Sequence, residues 1–177
     1  THPWQSTNRV WPAKEIGPEI NNAREVAVGD LNNDGYPDIV VANSKGINLV
    51  YLNQGDGGFG TGVGIGTTPH DTACLALGDL NRDGYLDIVS GNVNELNTEH
   101  LNNRRGDFDE GRDISGDINN SRAVDLGDIN EDGYPDIVFG NHGQASRAYL
   151  NQGDGTFDGG SDITESQMAT RAVRLAD

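Results

Sequence analysis

Short apolar runs separated by turns rich in Gly, Asn and Asp recur along this chain. Val26 and Val28, Leu75 and Leu77, and Val124 and Leu126 alternate with smaller or polar residues, the period of a strand with one buried face. Each pair leads into a polar loop and then a denser apolar run, such as Asp38-Ile39-Val40-Val41 or Asp136-Ile137-Val138-Phe139, which reads as a more fully buried second strand. A third stretch follows at Leu49-Val50-Tyr51-Leu52-Asn53, at the weaker His100-Leu101-Asn102, and at Ala148-Tyr149-Leu150-Asn151. A turn and a phenylalanine (Phe59, Phe108, Phe157) come next, and Ile65, Ile114 and Ile163 mark a last extended segment. No ten-residue segment shows a convincing helical period, so helices should be nearly absent.

The period is fixed. Asp30, Asp79, Asp128 and Asp177 each end a short apolar run, and the differences 79−30, 128−79 and 177−128 are all 49. A unit of about four short strands in roughly 40–50 residues predicts an all-β chain built of propeller-type blades of antiparallel strands. The expected division is 1–19 as the end of a preceding blade, 20–65, 66–114 and 115–163 as three blades, and 164–177 as the first strand of a fourth. That is about 3.6 repeats, whereas propellers typically have about four to eight blades. The expectation is that neighbouring repeats of a longer chain, or other copies of the chain, complete the array, with a filament as one outcome if the rotation does not close. The first residue is Thr, which reads as a mature, trimmed or partial product.

Charge changes the picture. The chain carries 28 acidic and 12 basic residues, a formal net charge of −16, with 34% hydrophobic residues. Such a balance is also found in disordered chains, but here the β-branched runs are regular and the carboxylates sit at repeating positions. Clustered carboxylates repel one another, so the pattern reads as a folded chain that expects cations. The acidity excludes counterion-releasing contact with nucleic acid and attraction to anionic membrane surfaces. No run of about 18 apolar residues is present to span a bilayer as a helix.

The loops supply the chemistry. In the first unit Asp30, Asn32, Asp34 and Asp38 offer side-chain oxygens at loop positions 1, 3, 5 and 9, and Tyr36 a backbone carbonyl at position 7. The second unit has Asp79, Asn81, Asp83, Asp87 and Tyr85, and the third Asp128, Asn130, Asp132, Asp136 and Tyr134. Six to eight hard oxygens at about 2.3–2.6 Å suit Ca²⁺, while Mg²⁺ demands a tighter octahedron. Gly35, Gly84 and Gly133 hold position 6, where the chain must turn sharply. Asx-rich turns alone would be the plain alternative, but three complete copies favour three calcium sites. An EF-hand is disfavoured, because Val41, Ser90 and Phe139 stand where it needs a bidentate Glu.

These loops, the Asp-Ile-Val strands that follow them and the Asn-Gln-Gly-Asp-Gly-x-Phe turns resemble the FG-GAP/VCBS repeats of integrin alpha chains, fungal lectins and bacterial surface proteins. The resemblance covers residues from about 20 to 177. It implies β-propeller blades, each with calcium in the loop between its first two strands. The second unit departs from the pattern with Asn103-Arg104-Arg105-Gly106-Asp107 in its turn, and Asp177 alone cannot hold an ion.

Other features read more plainly. Arg105-Gly106-Asp107 spells an integrin-recognised tripeptide but reads as turn composition, and Asn119-Asn120-Ser121 is a glycosylation sequon expected in a loop. Cys74 reads as a small buried hydrophobe, Trp4 and Trp11 as filling an end of the core, and His2, His70, His100 and His142 as scattered surface or turn residues. With no nucleophile elbow or P-loop, and most carboxylates assigned to the loops, the chain is expected not to be an enzyme. The leading expectation is an extracellular, secreted or cell-surface, calcium-stabilised module for structure, adhesion or self-assembly, with a protein or glycan ligand. The alternatives are a propeller-type lectin and the non-catalytic scaffold of a larger secreted enzyme.

Overall fold

The computed structural model describes residues 16–17, 22–165 and 169–175. Trp4, Trp11, His2, Asp177 and all but two residues of the expected segment 1–19 lie outside them. The described residues form ten strands and no helix. Strands β1 (Ala23–Gly29), β2 (Asp38–Asn43), β3 (Leu49–Tyr51) and β4 (Val63–Gly64) make one four-stranded antiparallel sheet in chain order. The next six are β5 (Thr72–Gly78), β6 (Asp87–His100), β7 (Arg112–Gly127), β8 (Asp136–Asn141), β9 (Arg147–Tyr149) and β10 (Ser161–Asp162). They form a six-stranded antiparallel sheet, again in chain order.

The two sheets obey one repeat. Shifted by 49 residues, β1 becomes β5 and then the second half of β7, while β6 covers the counterparts of both β2 and β3. The first part of β7 is the counterpart of β4, with Thr98↔Asp113 matching Leu49↔Gly64. The second and third blades merge because Val93↔Asn120, Glu95↔Asn119 and Leu96↔Ile118 extend the ladder across their joint. At the other joints the pairing shrinks to the single bridges Gly46↔His70 and His142↔Ala169. The architecture is therefore all-β, with propeller-like blades.

The core lies between blades. One cluster joins Leu31, Val40, Ala42, Val50 and Ile65 of the first unit to Leu75, Ile88 and Phe108 of the second. The other joins Cys74, Leu80, Val89 and Ile114 to Val124, Ile137, Phe139 and Tyr149 of the third. A thin sheet cannot bury both faces alone, so each blade completes its neighbour's core. Cys74 is buried as expected, and burial pushes its thiol pKa up.

Two expectations are corrected. Asn119 is not in a loop: it pairs with Glu95 inside β7, and its Nδ2 is buried without a hydrogen-bond partner among the described residues, so the folded chain does not present the sequon. His100 is not a surface or turn residue either. It is buried in β6 at the repeat position of Tyr51 and Tyr149, with Thr98 and the Asp109 carbonyl beside its ring nitrogens. Gly111, like Gly62 and Gly160 at the same repeat position, leaves the space that these rings fill.

Candidate metal-binding loops

Each acidic loop follows a first strand and is built by its own side chains. In the first, Asp30 accepts N–H bonds from Asp34 (3.1 Å) and Gly35 (2.8 Å), and Asn32 Oδ1 accepts a second bond from Asp34 N–H. Asp34 Oδ1 accepts the N–H of Tyr36 at 2.9 Å, and its Oδ2 accepts Asn32 Nδ2 at 3.0 Å. The second loop repeats the backbone set with Asp79, Asn81, Asp83 and Tyr85, and the third with Asp128, Asn130, Asp132 and Tyr134. The chain turns through two left-handed residues: position 4 (Asn33, Arg82, Glu131; φ 57–60°) and the position-6 glycines (φ 87–91°). The sequence pointed to the glycine but not to the left-handed residue at position 4, a conformation that non-glycine residues seldom adopt.

The ninth position behaves differently. Asp38 is fully buried; one oxygen accepts the N–H of Leu31 (2.9 Å) and the other that of Asn53 (2.8 Å). Asp87 does the same for Leu80 and Asn102, and Asp136 for Ile129 and Asn151. Positions 1, 3 and 5 are thus brought together, while position 9 anchors the base of the loop and the start of the next turn. Burial pushes the Asp87 carboxyl up to about 6, opposed by its two N–H partners and reinforced by the charges of Asp83 and Asp79. Asp38 is raised by the same causes.

With the carboxylates turned to backbone amides, no group of three or more His, Cys, Asp or Glu side chains among the described residues is gathered closely enough to hold a metal ion. The donor set still fits calcium in kind. It is all oxygen, and an oxygen that accepts one N–H retains a second lone pair.

Residues outside the expected ligand set tie the loops together. Asn33 Nδ2 donates to the Gly84 carbonyl of the second loop at 2.9 Å, and the Arg82 guanidinium lies 4.6 Å from the centre of the Tyr134 ring of the third. Arg104 of the divergent turn pairs with Asp83 through Nε at 3.1 Å. Asn102 Nδ2 donates to the carbonyls of Leu31 and Leu86, and Asn151 Nδ2 to those of Leu80 and Pro135. The repeated Asn was visible in the sequence; its reach into the preceding blade was not, since it bridges 71 positions.

A family model of FG-GAP-like repeats matches residues 30–90, 79–139 and 128–177. The chain belongs to this family of FG-GAP-like repeat proteins. No curated protein matches it. Among solved structures it is similar to an Agrocybe aegerita lectin described for recognition of non-reducing terminal N-acetylglucosamine. That match has a TM-score of 0.58 and 24% identity, and covers 78% of this chain and 38% of the lectin. A Photorhabdus luminescens Tc holotoxin pore also matches, with TM-score 0.46 and 20% identity over 81% of this chain and 7% of that one. The lectin supports the fold. The chain spans well under two-thirds of either structure.

Proposed function

We propose that the chain is a calcium-stabilised, propeller-type module of an extracellular protein, serving structure, adhesion or self-assembly rather than catalysis. The observation that carries this reading is the threefold recurrence of one oxygen-rich loop, with the same turn geometry and the same acidic positions. Calcium would be held by Asp30, Asn32, Asp34 and Asp38 with the Tyr36 carbonyl, and by the corresponding residues of the second and third loops. It would neutralise carboxylates that otherwise repel one another and so stiffen the joint between two strands. Millimolar calcium outside cells would fill even weak sites of this kind. Binding to the folded state alone adds about 2.7 kcal/mol per site at hundredfold excess over Kd. Thermal melts in calcium and in chelator test the proposal: a large calcium-dependent rise in Tm is expected, and superimposable melts would refute it.

A second reading, glycan binding, is favoured by the fold shared with the Agrocybe lectin. A glycan array with calcium present separates it from a purely structural role.

A further inference from the structure

The first strands of successive repeats converge at one cavity. Residues 24, 73, 122 and 171 stand at one repeat position, 49 apart, and with His142 they line a cavity of about 560 Å³. Ala27, Ala76, Asp125 and Arg174, three residues further on, line a second cavity of about 300 Å³. The first-strand segments therefore surround a common axis, and position 24 is one layer of it.

That layer reads Arg24, Ala73, Arg122, Arg171, in a chain with only 12 basic residues and a net charge of −16. The backbone singles out the same position. The ladder passes from Ala23 to Glu25, from Thr72 to Cys74 and from Ser121 to Ala123, skipping Arg24, Ala73 and Arg122. A residue skipped at a bulge leaves the strand's alternation and is re-aimed. The arginines are not neutralised in step. Arg24 pairs with Asp71 at 3.2 Å, but Arg122 donates to the neutral Asn120 Oδ1 at 2.7 Å. Among the described residues, neither Arg122 nor Arg171 has a carboxylate partner.

We infer that this axial cavity binds a tetrahedral oxyanion, sulfate or phosphate, free or carried as an ester on a sugar-sized molecule. Guanidinium forks match the paired oxygens of such groups, and the cavity volume lies in the range of small-molecule sites. The site is independent of the calcium reading, since the acidic loops lie at the opposite ends of the same strands, beyond Gly29 and Gly127.

Isothermal titration with sodium sulfate, galactose 6-sulfate and galactose tests it, with Arg105→Gln as a control in the distant turn. Saturable binding of sulfate or the ester, but not of galactose, is expected. A tighter ester than free sulfate would assign the ligand to the sugar-borne form, and equal affinities to the free anion. Arg122→Gln/Arg171→Gln should weaken binding at least tenfold, whereas Arg105→Gln should leave it unchanged. Ala73→Arg, which completes the layer, should tighten it severalfold. Absence of saturable binding to the native chain, or a double variant that melts normally and binds as well as the native chain, would overturn the inference. So would an Ala73→Arg variant that melts normally with unaltered affinity.

Discussion

Asn97 Nδ2 donates to Ser121 Oγ at 2.9 Å across the joint between the second and third blades, and both side chains are buried. Ser121 Oγ in turn donates to Asn141 Oδ1 at 2.9 Å. The same relay joins Asn48, Thr72 and Asn92 one repeat earlier, and Ser146 bonds Thr170 one repeat later. Buried polar groups cost stability unless paired, and here the pairing also fixes which blade lies beside which.

Ser121→Ala should therefore cost more than an ordinary surface hydroxyl. It strands a buried donor on Asn97 and a buried acceptor on Asn141, which implies a loss of roughly 2–4 kcal/mol. Ser121→Thr should be nearly neutral, because Thr72 and Thr170 already serve at that repeat position. Urea denaturation of the two variants checks this; equal losses would contradict the relay.

Asn151→Asp should destabilise strongly, since the new carboxylate cannot donate to the Leu80 and Pro135 carbonyls and faces them in a buried site. A loss of roughly 3 kcal/mol is expected. Asn53→Asp at the same repeat position should cost less, because among the described residues Asn53 Nδ2 donates only to Pro37 and the group is more exposed. The difference between the two midpoints is the quantity to measure.

The three loops should not bind calcium equally. Arg104 holds Asp83 Oδ2, where the first and third loops have an Asn side chain bonded to the corresponding Asp. Calcium must displace or tolerate that cation, so the second site should be the weakest. Arg104→Ala should raise its affinity severalfold with little effect on the other two. Calcium titration of the native chain and the variant resolves this, and an unchanged weakest site would count against it.

Glu99 predicts a pH dependence. It is buried, with Arg112 Nε 2.6 Å from its Oε1 and, among the described residues, no hydrogen-bond partner for Oε2. Burial pushes its carboxyl up to about 7, outweighing the Arg112 charge. The folded state thus holds the proton more tightly than the unfolded chain does. Stability from this group is full below the unfolded carboxylate range and is lost as pH rises through about 7. Glu99→Gln should flatten the fall in Tm between mildly acidic and mildly alkaline buffer. A variant whose Tm falls as steeply as that of the native chain would contradict the assignment.

Much of the fold was legible because a repeat states each rule three times. The strand after each loop and the Gly at position 6 follow from backbone geometry that a local sequence must satisfy; the buried face expected of Val26 and Val28 does not, since both are exposed in β1 while Leu75 and Val124, at the repeat position of Val26, are buried. The acidic positions were legible for the same reason, whereas the division of labour between Asp30 and Asp38 was not. It depends on the folded path of the chain, which turns the N–H groups of Leu31, inside the loop, and of Asn53, in the next turn, onto the two oxygens of Asp38.

The period, the all-β character and the oxygen-rich loops are written into the amino-acid order, because these rest on contacts within one unit. What each repeat position meets is set by packing between units. Leu31 and Leu80 are fully buried, yet Ile129 at the same position is 46% exposed; Ile65 and Ile114 are buried, yet Ile163 is 51% exposed. The third unit has the same local pattern but, among the described residues, no outer strands of a following blade over it. The gathering of Arg24, Arg122 and Arg171 was likewise decided by packing. A 49-residue period says which positions are equivalent, and only the rotation between blades says which of them face one another.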